Sequence, residues 1–96
     1  MSMKEYRIVA TVEVELGDGR KRIVENAHPQ TKGGPIIHSY RTKKDAKKAL
    51  DHLRKVCKEF DAMTYERFAI NPRDNAKYTQ TNIRIQSREV TDWKDE

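Results

Sequence analysis

The 96-residue chain has one cysteine, three prolines and four glycines, and it contains no long apolar run. A single thiol, Cys57, excludes both an internal disulfide and a metal site built on several thiolates. No stretch approaches the roughly 20 apolar residues that a membrane-spanning helix needs. The opening residues 1–6 lack the apolar segment of a secretory signal. We therefore expect a cytoplasmic protein that does not enter a membrane.

Charge is what the chain has in excess. Charged residues make up 36% of it, and 20 Lys and Arg face 15 Asp and Glu, for a net charge of +5. A chain of this length forms one domain, here residues 1–96, with a thin core. The positive excess favours acidic partners, nucleic acid among them. Acids lie near most of the bases, however, so a solvated surface is the simpler interpretation.

Alternating apolar residues at both ends of the chain are typical of half-buried strands. The first strand, residues 5–16, is followed by the turn Gly17-Asp18-Gly19 and a second strand at 21–27. Further strands are predicted at 36–40, 65–70 and 80–90, with polar connections at 28–35 and 71–79. In the last strand the alternation places Thr81 on the same face as Ile83.

One segment, residues 42–60, has the spacing of an amphipathic helix. Thr42 with Asp45 resembles an N-terminal capping box. The apolar stripe is formed by Ala46, Ala49, Leu50, Leu53, Val56, Cys57 and Phe60. The order β-β-β-α-β-β predicts an α+β domain, in which this single amphipathic helix packs on one face of an antiparallel sheet.

One helix leaves the other face of the sheet open, and this open face with its flanking loops is the predicted site for a protein partner. The candidate residues are Arg7, Arg84 and Arg88 on the face, with Arg73 and Lys77 in the second loop. The two C-terminal arginines could hold an acidic partner. The competing interpretation pairs Arg84 and Arg88 with Glu13 and Glu15 of the first strand.

The outer face of the predicted helix is rich in lysine. The candidate residues for an alternative, nucleic-acid-binding function are Lys44, Lys47, Lys48 and Lys55, with Lys32 in the first loop. Such lysines could neutralise phosphates without reading base sequence. The competing interpretation is a solvated helix face, because lysine is a good helix former. The loop in which Lys32 precedes Gly33-Gly34 is also a candidate site for a small molecule.

No pattern of catalytic or metal-binding residues is present in the sequence. His28, His38 and His52 lack the spacing of metal ligands, and no nucleophile motif occurs. Cys57 belongs to the apolar stripe and is predicted to pack in the core. We therefore expect no catalytic residue, metal or cofactor, and a protein that binds rather than catalyses.

Three segments together resemble small proteins carried by bacteriophages and prophages: the strand 6–9, the helix start 42–50 and the ending 83–93. The resemblance covers about a third of the chain. It implies an accessory protein that binds a host or phage protein, in order to modulate host machinery or defence, or that binds nucleic acid. It implies no catalytic residues. A homodimer through a free sheet edge or the open face is a further candidate.

Overall fold

The computed structural model describes residues 2–91, and Trp93, in the segment that carries the resemblance, lies outside them. The strands are β1 (Ser2–Leu16), β2 (Lys21–Ala27), β3 (Gln30–Thr31), β4 (Gly34–Pro35), β5 (Ser39–Tyr40), β6 (Thr64–Arg67) and β7 (Ala76–Thr91). The helix is α1 (Lys43–Val56), and two 3₁₀ turns span Phe60–Ala62 and Pro72–Asp74. The predicted α+β class, with one helix on an antiparallel sheet, is confirmed.

The main sheet has the order β2-β1-β7-β6, and all its neighbours are antiparallel. β1 and β7 pair from Ser2 opposite Thr91 to Leu16 opposite Ala76. β2 and β5 share the other edge of β1, with β5 pairing to Tyr6 and Arg7. The predicted hairpin is confirmed: it turns through Gly19, whose φ of 88° suits glycine. Within residues 2–91, no helix is long and apolar enough to cross a membrane.

Two β-bulges flank the middle of β1. At the first bulge, β1 has one residue between Val9 and Thr11, whereas the paired segment of β7 has two. At the second bulge, β1 has one residue between Ala10 and Val12, whereas the paired segment of β2 has two. The extra residues include Asn26 and Asn82, whose φ angles are 54° and 51°. Asparagine tolerates this left-handed conformation better than most residues.

The bulge in β7 corrects the predicted alternation of that strand. Thr81 lies opposite Thr11, whereas Ile85 lies opposite Ile8. Facing residues of paired strands share a face, so Thr81 belongs to the face away from the helix and Ile83 to the face beneath it. The prediction that these two residues share a face is therefore wrong.

α1 packs across the half of the sheet that contains the start of β1. Buried Ala46 and Leu50 face a core that includes Ile8, Ile83 and Phe60. The predicted cap is confirmed, because Thr42 Oγ1 accepts a hydrogen bond from the Asp45 amide at 3.1 Å. The helix ends at Val56, earlier than predicted. Cys57 is half-buried and extended, and it turns the chain so that Phe60 enters the core from a 3₁₀ turn.

The connections at 28–35 and 71–79 are more ordered than predicted. The first contains the β3–β4 hairpin, and its flanking residues Pro29 and Ile36 are buried. The predicted third strand shrinks to the two residues of β5. In the second connection, the residues from Ala76 onward already belong to β7, so that part of the loop prediction is wrong.

A buried glutamine joins these connections to the sheet. Gln80 is fully buried on β7, opposite Val12. Its Oε1 accepts from the Gln30 amide at 2.6 Å, and its Nε2 donates to the Phe60 carbonyl at 2.9 Å. The backbone N–H of Gln80 donates to the Met63 carbonyl at 2.8 Å. One side chain thus satisfies backbone groups from two segments that would otherwise be buried without partners.

We expect Gln80→Leu to lower the free energy of unfolding by about 2–4 kcal/mol, because the Gln30 amide and the Phe60 carbonyl lose their buried partner. Urea unfolding followed by circular dichroism measures the loss. The matched control is Gln86→Leu, which removes a half-buried glutamine of the same strand that bonds only one side chain, Arg7. Equal losses in the two variants would contradict the role assigned to Gln80.

Candidate functional site

The predicted arginines do lie on the face of the sheet away from α1, and two of them bond the residue opposite. Arg7 Nε donates to Gln86 Oε1 at 2.8 Å, and Arg88 forms an ion pair with Glu5 at 3.1 Å. Hydrogen bonding from Arg88 is the main cause that lowers the pKa of Glu5. These contacts follow from the register, which places Glu5 opposite Arg88 and Arg7 opposite Gln86.

Arg84 joins the two bulges. Its guanidinium donates to Asn26 Oδ1 at 2.7 Å and to the Asn82 carbonyl at 2.9 Å, and it lies 3.5 Å from Glu25 Oε2. Arg84 also reaches Thr11 Oγ1 at 3.3 Å. The predicted pairing of Arg84 and Arg88 with Glu13 and Glu15 is therefore wrong, since the acids that they contact are Glu25 and Glu5.

On the rest of the open face, positively and negatively charged side chains lie next to each other. One row across the four strands places Lys21 opposite Glu15, Glu15 opposite Lys77, and Lys77 opposite Glu66. The predicted partner residue Lys77 thus stands between two acids. Neighbouring charges of alternating sign stabilise such a face weakly and leave little net field for a partner to recognise.

The helix side of the sheet is only half covered. Beyond Gln80, the strands carry an apolar surface that α1 does not reach, and this surface forms a groove of about 330 Å³. We call it the tyrosine groove; its lining residues are Val12, Val14, Leu16, Arg22, Val24, Ala27, His28, Tyr65 and Tyr78. Apolar concave surfaces of this size are typical of binding sites.

Two stacked tyrosines form one wall of the tyrosine groove. The rings of Tyr65 and Tyr78 lie 4.8 Å apart, centre to centre, at an angle of 8°. The cause is the register of β6 and β7, which places the two residues opposite each other. Burial, with Tyr78 beside it, raises the pKa of Tyr65. The Tyr65 phenol is therefore neutral at neutral pH, and it presents an uncharged aromatic surface to the groove.

Arginines border the tyrosine groove without acids on the strands beside them. Arg22 lies opposite Val14 and Arg67 lies opposite Ala76, so both side chains belong to the helix side of the sheet. Both residues are exposed, as is His28 in the lining. In the described strands, the single acid on this side is Glu89, which pairs with Lys4 at the far end.

The loop after β6 lies at the same end of the molecule as the tyrosine groove. We call residues 68–75 the Phe68 loop. Its side chains Phe68 and Ile70 are 75% exposed and fully exposed, respectively. Asn75 holds the loop, because its Oδ1 accepts from the Ala69 amide at 2.7 Å and its carbonyl accepts from the Gly17 amide at 2.8 Å. A held loop with exposed apolar residues is suited to contact a partner.

Only some of the residues at this end of the molecule were predicted from the sequence to belong to a binding site. Arg73 lies in the Phe68 loop and is exposed, as predicted for a loop residue. Residues 68–70, predicted to be the end of a strand, leave the sheet after Arg67. Tyr65, Tyr78, Arg22 and Arg67 were not among the predicted site residues. The signal for the loop was the apolar run Phe68-Ala69-Ile70 directly before Asn-Pro.

The candidate lysines of the alternative function lie apart from this end. Lys44, Lys47, Lys48 and Lys55 are exposed on α1, and among residues 2–91 none of them has an ion-pair partner. Lys32 lies in the turn between β3 and β4, beside the end of α1. The five residues therefore share one side of the protein but form no enclosed site.

In the part of the chain that the structure describes, no three His, Cys, Asp or Glu side chains come together as metal ligands could. Comparison of the chain with family models, with curated proteins and with solved structures finds no match in any of the three.

We expect Gly17→Ala to release the Phe68 loop, because a Cβ at Gly17 would overlap the Pro72 carbonyl oxygen. The variant should lose about 1–3 kcal/mol of stability, as overpacked sites do, and trypsin should cleave it faster after Arg67 and Arg73. The matched control is Gly33→Ala, whose Cβ would meet only Thr31 Oγ1 at an ordinary 3.8 Å. Unchanged cleavage in Gly17→Ala would show that this contact does not hold the loop.

Proposed function

We propose that the protein is a non-enzymatic binding protein that docks a protein partner through the tyrosine groove and the adjoining Phe68 loop. The expectation from the sequence of a phage-type accessory protein leads us to propose a component of a host cell or of a phage as the partner. The observation that carries the proposal is the meeting of two apolar features at one end of the molecule: the half-buried residues of the tyrosine groove and the exposed side chains of the Phe68 loop. One is concave and the other protrudes.

The contacts around these features support binding rather than chance exposure. Glycine at position 17 and the two hydrogen bonds of Asn75 hold the Phe68 loop in place while its apolar side chains face solvent. A large apolar side chain that stays exposed to water contributes little to the stability of the fold. Aromatic anchors with arginines nearby are typical of the residues that dominate protein–protein affinity.

The proposed partner site lies at the end of the sheet rather than on the open face that the sequence predicted. Arg7, Arg84 and Arg88 already bond neighbouring side chains, and a partner would have to compete with those contacts. Binding through them remains a prediction. Arg73 and Lys77 stay close to the proposed site, because one lies in the Phe68 loop and the other lines the cleft beneath it.

We expect the double variant Phe68→Ser, Ile70→Ser to retain the fold and to bind its partner at least about tenfold more weakly, as loss of central apolar anchors does. The measurement is quantitative capture of proteins from a bacterial lysate on immobilised protein. The matched control is Ile23→Ser, Ile37→Ser, which removes two side chains of similar exposure, 65% and 67%, away from the site. Captured proteins that the control loses and the site variant retains would contradict the proposal.

A second candidate function is binding of nucleic acid through α1. It is favoured by one observation: the four helix lysines are exposed and unpaired within the described residues. They could contact phosphates along one side of a helix about 21 Å long. Among the side chains at that surface none is aromatic, so recognition would depend on charge rather than on base sequence.

For this candidate we expect Lys44→Gln, Lys47→Gln, Lys48→Gln to weaken binding of a random DNA duplex and to reduce its salt dependence, because fewer counterions are released. Fluorescence anisotropy at about 50 and 200 mM salt measures both effects. The triple variant Lys4→Gln, Lys21→Gln, Lys77→Gln makes the same change of charge on the strands. If both variants weaken binding equally, net charge rather than α1 is responsible.

A further inference from the structure

We propose that the tyrosine groove takes an acidic peptide segment that carries apolar side chains, with its carboxylates held by Arg22 and Arg67. This inference rests on the proposed function and specifies the chemistry of the partner. It follows from the distribution of charge between the two faces of the sheet.

The acids of the strands are segregated. Glu5, Glu13 and Glu15 on β1, and Glu66 on β6, occupy alternate positions and therefore point away from the tyrosine groove. Glu25 also contacts open-face residues, through Thr11 and Arg84. On the groove side, the strand charges that border the site are the two arginines alone.

The geometry of these arginines suits a bound carboxylate. Arg22 lines the groove from β2, and Arg67 stands at the end of β6 near Tyr65, where it lines the adjoining cleft together with Glu15 and Glu66. Neither of them has an ion-pair partner among residues 2–91. Guanidinium groups bind carboxylates through two parallel hydrogen bonds, and they retain this capacity here because no acid of the described residues occupies it.

The floor of the groove favours apolar side chains over nucleobases. It is formed by aliphatic residues of β1 and β2, whereas base recognition relies on exposed aromatic faces. Tyr65 and Tyr78 stack on each other, so each ring has one face already covered. A volume of about 330 Å³ lies at the lower limit of ligand sites and suits a few side chains of a peptide.

A second copy of the chain does not fit the same site. The apolar group that this chain could offer is the Phe68 loop, which carries Arg73 and follows Arg67 directly. The loop also carries Asp74 beside Arg73, so its insertion into the groove of another copy would bring no net negative charge to Arg22 and Arg67. A loop without net negative charge would leave the two arginines unpaired, whereas an acidic segment would pair with them, so the proposed partner is a different, acidic chain.

The test is selection from a random dodecapeptide library with the full chain, followed by fluorescence polarisation of the enriched peptides. We expect enrichment of peptides that combine Glu or Asp with Leu, Ile or Phe. Replacing their acids by Gln should weaken binding about tenfold or more, because the paired arginines are left without partners. The charge-swapped variant Arg22→Glu, Arg67→Glu should instead enrich basic apolar peptides.

The matched control is Lys21→Glu, Lys43→Glu, which makes the same change of net charge at two exposed lysines that line neither the groove nor the cleft beneath the Phe68 loop. It should keep the acidic preference; if it loses that preference, the field of the whole protein is responsible and the inference is wrong. Enriched peptides without acidic bias that still require Phe68 and Ile70 would overturn the inference while leaving the proposed function intact. A single-stranded oligonucleotide that displaces the peptides at lower concentration would overturn both.

Discussion

The hydrogen bonds of Gln80 are the constraint on which the rest of the structure depends. This residue is the fifth of β7, where its side chain meets the 28–36 connection and the Phe60–Ala62 turn. Burying an amide is unfavourable unless its groups are bonded, and here the side chain bonds backbone atoms of both segments. Gln80 therefore marks the boundary of the covered half of the sheet. The next row, Val14 opposite Tyr78, is already the floor of the groove.

Local patterns were sufficient to predict the parts of the fold that depend on local chemistry. The bounds of β2, the hairpin turn and the Thr42 cap followed from alternation, glycine and capping residues. The two bulges could not be predicted in this way, because an extra residue in a strand is recognised only when the residues of the paired strand are known. The role of Gln80 was hidden for the same reason. In the sequence it is one polar residue in a polar stretch, and only pairing with Val12 places it inside.

The candidate site was predicted less well, because the face that a charged residue occupies is decided by pairing. In β2, Arg22 points to the helix side and Ile23 to the open face, which is the reverse of what their polarity suggests. The register with β1 fixes this, since Arg22 must share a face with Val14. The predicted arginines were placed on the correct face, but their bonds to Glu5, Gln86 and the bulges depend on contacts between distant segments.

The uncovered end follows from a mismatch of lengths. A 15-residue strand extends about 50 Å, whereas the 14-residue helix α1 extends about 21 Å, so one helix cannot cover β1 and β7. Stability alone would be served by shorter strands that end where the helix ends. The chain instead extends apolar residues beyond the helix, where half-buried Leu16 and Tyr78 pack against the core that includes Val14, and it keeps the acids of β1 on the other face. The half-buried apolar residues at this end, with Arg22 and Arg67 beside them, are the surface on which the proposed partner site is based.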